Sequence, residues 1–256
     1  MQIALLLNLF SFANYLKNMN EIHLSSVNST NTYAKERYSH FPKNQISCIT
    51  AEEQTAGRGR HQRAWVSPRG VNIYATFYFQ LPPLFPHLTA LAQLMCYSLA
   101  TILMNEGLNP KIKWPNDIQL NGKKISGILC ETIFHKKSVE IFLGIGINVN
   151  MNTFEHIDQP ATSLLHVTGK IWDRSELLKK LQKQFTKDLD HLKQEGFAPF
   201  EKLFNHLLAY KNKAITVFDG ETKWTGICDS VSKEGGLNLL LPDKTIKTIF
   251  SGDVNS

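Results

Sequence analysis

Apolar positions in this chain repeat with two periods, and the periods divide it into elements. Alternating, β-branched and aromatic runs predict strands at residues 22–24, 47–51 and 73–79. A 3.6-residue period predicts a helix over 88–104, with Leu91, Leu94, Met95, Leu99 and Leu103 on one side. The same period returns over 175–192, where Leu177, Leu178, Leu181, Phe185, Leu189 and Leu192 make the apolar side. Residues 32–38 and 197–210 read as two further helices, the first capped by the Ser/Thr/Asn-rich turn at 25–31. Pro82, Pro83 and Pro86 interrupt regular structure before the 88–104 helix, and Gly107 and Pro110 end it.

Residues 111–131 read as a strand, a Trp-Pro-Asn-Asp corner, a second strand, a tight Asn121-Gly122 hairpin and a longer strand. The apolar strand at 139–149 carries Gly144 and Gly146 at alternate positions, which leaves one face bare for close approach. Residues 161–164 open a helical turn. From 214 onward the character changes to short strands at 214–218, 222–229, 237–241 and 245–250, separated by Asp219-Gly220, Gly235-Gly236 and Pro242-Asp243. The expected fold class is α+β: a mixed β-sheet backed by helices, with a small β-barrel at the C-terminus. The expected divisions are an extension at 1–18, a main domain at 19–211 and the small domain at 212–256. The apolar run at 3–9 is too short to span a bilayer and has no preceding Lys or Arg, so it is expected to lie outside the core.

Composition narrows the function. At 256 residues, 43% apolar and 20% charged, the chain is globular. A net charge of +6 favours anionic partners such as nucleotides, an acidic protein or nucleic acid. Four widely spaced cysteines form no CxxC pair, which argues against zinc and against a disulfide framework and for a reducing, cytoplasmic setting.

The densest chemistry lies at 57–65, Gly-Arg-Gly-Arg-His-Gln-Arg-Ala-Trp. Glycine lets the backbone approach a ligand, and arginine forks grip phosphate or carboxylate oxygens. A solvated basic loop is the plainer alternative, but flanking strands place this loop where a rigid scaffold holds a binding site. Taken singly, the Ser29-Thr30-Asn31 turn is a helix cap, Lys124 is a surface lysine, and Gly-x-Gly-x-Asn at 144–148 is weak evidence for a nucleotide.

Together these motifs resemble those of the biotin protein ligases, in the family's order. The arginine loop at 57–65, the Lys-Trp-Pro-Asn-Asp corner at 113–117 with Lys124 after the hairpin, the glycine strand at 144–148 and the turn at 29–31 carry the resemblance from about residue 20 to the end. It implies an SH3-like fold for the C-terminal barrel and a two-step reaction. Biotin and ATP form biotinyl-5′-AMP, and a lysine of a biotin carboxyl-carrier domain then takes the biotin. Lys124, Arg60 and Arg63 are the implied catalytic residues, with Lys124 bridging carboxylate and α-phosphate and Arg63 on phosphate. Ser29, Thr30 and Gln54 would serve the ureido ring, with Asn31 also a binding residue. Arg58, Gly59 and Arg60 would wrap the biotin carboxylate through backbone N–H groups, as a loop able to close over it, with Gly57 also a binding residue. Trp65, Ile128 and Leu129 would wall the valeryl chain, and Gly127 and Gly144 would line the site. Asn148 would lie near adenine. Asn116 and Asp117 would position phosphate or Mg²⁺, and no protein-held metal is expected.

Three departures qualify the resemblance. The residues before 20 leave no room for the DNA-binding domain of some members, so no DNA partner is expected. Ala161 falls where some relatives place a tryptophan beside adenine. The chain stops soon after Gly252-Asp253-Val254, where longer relatives carry a basic residue near the nucleotide. A homodimer is implied by resemblance alone. The competing readings are a lipoate or octanoate ligase or transferase of related fold and a basic nucleic-acid-binding protein. The second is weakened because the basic residues do not interleave with a stacking surface of aromatics.

Overall fold

The computed structural model describes residues 19–255, so the expected extension at 1–18 lies outside the described residues. Twelve strands are present among them. Seven hydrogen-bond in the order β1-β2-β3-β7-β6-β5-β4: β1 (Asn20–Leu24), β2 (Ser47–Ala51), β3 (Ile73–Leu81), β4 (Lys111–Lys113), β5 (Asp117–Leu120), β6 (Lys123–Phe134) and β7 (Val139–Ile147). β1 pairs with β2 in parallel, whereas β2–β3, β4–β5 and β5–β6 are antiparallel, so the sheet is mixed. The other five are β8 (Ala214–Phe218), β9 (Lys223–Val231), β10 (Leu237–Leu240), β11 (Ile246–Ile249) and β12 (Asp253–Asn255). They form an antiparallel sheet in the order β11-β10-β9-β8-β12. The mixed sheet with its helices matches the expected fold class. The C-terminal element is a five-stranded sheet, one strand more than the pattern suggested.

The described residues form two compact units, residues 19–85 with 129–146, and residues 86–128 with 147–255. In the first, helix α1 (Thr30–Arg37) packs on β2 and β3. Ala34, Phe41, Ile49, Tyr78 and Phe142 form its core, flanked by Ile22, Leu24, Tyr33, Tyr38 and Ile133. The carboxylate of Glu140 is buried there, yet it accepts from the Tyr78 hydroxyl at 2.6 Å and from Gln80 Nε2 at 2.7 Å, which offsets its desolvation.

In the second unit, helix α2 (Leu91–Asn105) is entered through a 3-10 turn at Leu88–Ala90. Leu91, Leu94, Met95, Leu99 and Leu103 are all fully buried, as the periodicity required. The segment Leu88–Asn105, mean hydropathy 1.4, is long and apolar enough to cross a membrane, but it packs as a core helix. A short helix α3 (Leu164–Thr168) follows β7, and then α4 (Arg174–Glu195) and α5 (Ala198–Leu207). α4 packs against α2, and Ser98 donates to the buried Asp188 carboxylate at 2.7 Å. Burial pushes the Asp188 pKa up, against the hydrogen bonds from Ser98 and Gln184. The C-terminal sheet is tied in by the Gly235 carbonyl, which accepts from Gln93 Nε2 at 2.7 Å and Trp114 Nε1 at 3.1 Å.

Candidate functional site

The expected residues gather into two constellations, one in each unit. In the first unit, Ser29 occupies the N-cap position of α1 with extended backbone (φ −158°, ψ 135°), but its side chain makes no capping bond. The capping reading of this turn therefore fails for Ser29. Thr30 turns inward instead, and Gln54 reads it twice: Gln54 Oε1 accepts from Thr30 N at 2.9 Å and Thr30 Oγ1 at 3.2 Å. Gln54 Nε2 donates to Ser67 Oγ at 3.1 Å, and Ser67 donates to the Trp65 carbonyl at 2.9 Å. Thr76 Oγ1 lies 2.8 Å from Thr30 Oγ1 and 2.6 Å from Asn31 Oδ1. Asn31 Nδ2 donates to Glu131 Oε2 at 2.9 Å, with the Leu129 carbonyl at 3.4 Å.

The arginine loop is a folded ribbon. Arg58 and Ala64 bridge antiparallel, Gly59 N donates to Arg63 O at 2.8 Å, and Trp65 N donates to Gly57 O at 2.9 Å. His61 and Gln62 turn its tip at φ 53° and 59°. This leaves Arg60 half-buried beside the tip and Arg63 exposed. Arg58 points back, its Nη2 donating to Thr32 Oγ1 at 3.0 Å and lying 3.8 Å from Glu131 Oε1. Lys35 Nζ contacts the same oxygen at 2.7 Å. Burial raises the Glu131 pKa, but hydrogen bonds from Lys35 and Asn31 and the Lys35 and Arg58 charges outweigh it, so the carboxyl sits below its usual range.

Glycines make this packing possible. A methyl group on Gly144 would collide with Asn31 Oδ1, and one on Gly146 with the Trp65 indole. One on Gly57 would lie 2.6 Å from Trp65 O and 2.7 Å from Ser67 Oγ. The bare face of the 144–148 strand is thus filled by the chain's own Asn31 and Trp65.

In the second unit the sequence left open which way Lys124 faces, and a β-bulge decides it. Asp117 pairs with Gly127 and Ile118 with Ser126, but the register then slips, and Gln119 pairs with Lys124. Cross-strand partners share a face, so the extra residue in β6 puts Lys124 on the side of Asp117 and Gln119. Without it Lys124 would oppose Leu120, whose side chain is 2% exposed in the core. Lys124 Nζ lies 2.8 Å from Asp117 Oδ1, both side chains being 15% exposed. Asn116 Nδ2 donates to the Ile128 carbonyl at 2.6 Å, and Ile128 N to Asn116 O at 2.9 Å, which locks the corner that follows the cis Trp114–Pro115 bond. Ile128 and Leu129 are adjacent in a strand and present opposite faces, so they cannot wall one ligand together; Ile128 is the buried one.

β7 ends at Ile147, two residues before the expected end. Asn148 is freed from the strand to donate from its backbone to Ile125 O at 2.7 Å and from Nδ2 to Thr162 O at 3.1 Å. The helical turn begins later than expected: Ser163 caps α3, accepting from His166 N at 3.1 Å, while Ala161 forms a parallel bridge with Lys124. Sequence reasoning missed Glu131, Thr76, Ser67 and Thr162. Only Glu131 left a signal, as the one carboxylate in its strand.

Comparison with known proteins identifies the family. The model of the Biotin/lipoate A/B protein ligase family matches residues 24–148. The bifunctional ligase/repressor BirA of Escherichia coli K12 is 32% identical over 235 residues, covering 91% of this chain and 72% of that protein. This chain belongs to the biotin protein ligase family. It is accordingly an enzyme of the ligase class. The biotin–[acetyl-CoA-carboxylase] ligase of Paracoccus denitrificans is 31% identical over 202 residues, covering 76% of this chain and 84% of that one. The biotin protein ligase of Aquifex aeolicus, solved with biotin and ATP, superposes with a TM-score of 0.76 at 33% identity, covering 92% of this chain and 97% of that one.

Proposed function

We propose that this ligase joins biotin to a lysine of a biotin-acceptor domain at the expense of ATP, through biotinyl-5′-AMP. The observation that carries the proposal is Lys124: a bulge holds a cation beside a carboxylate, on a strand rather than a mobile loop. In the first step a biotin carboxylate oxygen attacks the α-phosphorus, the bond to the β-phosphate oxygen breaks, and pyrophosphate leaves. Both reactants are anions, so catalysis rests on charge neutralisation and alignment. Lys124 is assigned to that charge, and Asp117 to orienting its ammonium. Mg²⁺ enters with ATP as part of the substrate. The phosphates would supply most of its ligands, with Asp117 the carboxylate on hand. In the second step a neutral lysine amine attacks the acyl carbon, the bond to the phosphate oxygen breaks, AMP leaves, and the amine's proton passes to solvent.

The first constellation is assigned to biotin. Ser29 and Thr30 offer hydroxyls of the kind a ureido ring pairs with, and Gln54 fixes Thr30 in place. Trp65, seated on Gly146, and Leu129 supply apolar walls. We infer an SH3-like fold for the C-terminal sheet from its antiparallel order and from the resemblance. The test is direct. The purified chain with biotin, MgATP and a carboxyl-carrier domain should label that domain, release pyrophosphate and fall silent in excess EDTA. Equal labelling with lipoate in place of biotin would return the function to the related acyl ligases.

A further inference from the structure

The chain builds one turn shape twice, from different residues. At Asn121-Gly122 the backbone runs through φ of 51° and 74°, and Leu120 pairs with Lys123 across the turn. At the tip of the arginine ribbon His61 has φ 53° and ψ 34°, Gln62 has φ 59°, and Arg63 N–H donates to Arg60 O at 3.2 Å. Two successive residues with positive φ between bonded flanks make a primed hairpin turn, which Asn-Gly adopts readily. His and Gln carry a Cβ into the left-handed region, where it crowds the following carbonyl. Residues 61–64 are all exposed, so burial does not repay that cost. Backbone bonds oppose it: Gly59 N–H to Arg63 O at 2.8 Å, Trp65 N–H to Gly57 O at 2.9 Å, and the Arg58–Ala64 bridge.

We infer that the His61-Gln62 turn is a strained latch: the ribbon closes over its ligand against the cost of two left-handed residues, and that cost sets how readily it reopens. Strain of this kind is kept at ligand clamps, where it holds two arrangements close in free energy. A tip built from Asn-Gly would favour the closed ribbon with or without ligand. A tip built from His-Gln lets the ribbon open, so bound ligand shifts the balance toward closure and release follows reopening. Residue 62 thereby sets how long biotin and its adenylate are retained, and so how much activated biotin escapes to water and to other lysines.

This inference rests on the assignment of the ribbon to biotin, and the experiment separates the two. Radiolabelled biotin is loaded on the parent chain and on three variants at position 62, then chased with excess unlabelled biotin. Among the described residues the Gln62 side chain makes no hydrogen bond or ion pair, so these changes act on backbone conformation. A parent chain that binds no biotin overturns the functional reading itself. With a binding parent, Gln62→Gly and Gln62→Asn relieve the left-handed cost and should each release biotin about two- to fivefold more slowly, the gain for glycine being held down by its extra freedom in the open ribbon. Gln62→Val places a β-branched residue in the same region and should release biotin faster than the parent. With ATP present, biotin found on serum albumin should follow the same order, lowest for Gln62→Gly and Gln62→Asn and highest for Gln62→Val. A release rate at or above the parent's in Gln62→Gly or Gln62→Asn overturns the inference, as does parental or slower release in a folded Gln62→Val. Thermal melting reports folding, and if Gln62→Val is unfolded the other two variants decide alone.

Discussion

The two constellations are built on different principles. The first is a network of mainly neutral groups, Thr30, Gln54, Ser67, Thr76 and Asn31, in which one amide or hydroxyl fixes the next and glycines let the groups approach. The second contains one ion pair, Lys124 with Asp117, aimed by a single register slip. Many small bonds suit discrimination, because a ligand lacking one partner leaves a buried group unpaired. A single placed charge suits chemistry, because it counts most where charge gathers in the transition state. The difference predicts that damage to the second region abolishes turnover, whereas damage to the first is graded and appears in affinity.

Lys124→Ala should give the largest effect. Pyrophosphate release should fall by roughly 10²–10³-fold, the usual size for one lost electrostatic donor, with biotin binding retained. Parallel loss of biotin affinity would blur the division between the regions. Arg60→Ala tests the ribbon between them in size of effect. Arg60 flanks the left-handed tip of a loop able to close over the ligand, so its loss should spare pyrophosphate release but let the mixed anhydride escape. Biotin on an unrelated carrier such as serum albumin should then exceed that made by the parent. If pyrophosphate release collapses as it does for Lys124→Ala, Arg60 belongs with the chemistry.

Gly146→Ala should cost less, and only in affinity. The added methyl meets the Trp65 indole, and overpacking of this kind costs about 1–3 kcal/mol, read here as weaker biotin binding with pyrophosphate kcat little changed. Gln54→Ala removes the acceptor for Thr30 N–H and Oγ–H, and biotin affinity should fall by about 1–2 kcal/mol for the group left unpaired. Unchanged affinity in both variants would move the biotin site elsewhere.

Much of this was legible in the sequence because it is local. Residues 47–51 and 214–218 form the strands that their pattern predicts. Asn121-Gly122 makes the hairpin with φ of 51° and 74°, the left-handed pair that this dipeptide tolerates. What was not legible depends on partners far along the chain. Nothing near Lys124 announces that β6 holds one residue too many there, because the slip is defined only against β5. Gly144 and Gly146 were readable as a bare face but not as seats for Asn31 and Trp65, which lie more than 80 residues away. β12, three residues long, has no period of its own and exists by pairing with β8. The arginine motif was visible at once, but its ribbon shape, made by backbone bonds and two left-handed residues, was not.

Glu131 gives the smallest predicted effect and the finest test, because it is the one charged group on which the neutral network leans. Its pKa is depressed: burial opposes the anion, but Lys35 and Asn31 hydrogen-bond it, and Lys35 and Arg58 add their charge. A depressed carboxylate stabilises the folded state fully above its unfolded pKa, and that contribution is lost as pH falls through the folded pKa. The window therefore opens near 4.5, the ordinary glutamate value, and extends below it. At neutral pH Glu131→Gln should unfold at a lower temperature than the parent, by on the order of 2 °C, since the pair is partly solvated and the chain is large. As the pH is lowered through the window the two melting curves should converge, because the parent's carboxyl is then also neutral. Biotin affinity should follow the same course, since Asn31 and Arg58 lose a shared anchor in both cases. A melting difference that stays constant from pH 7 to the acid limb would show that Glu131 acts by shape and not by charge.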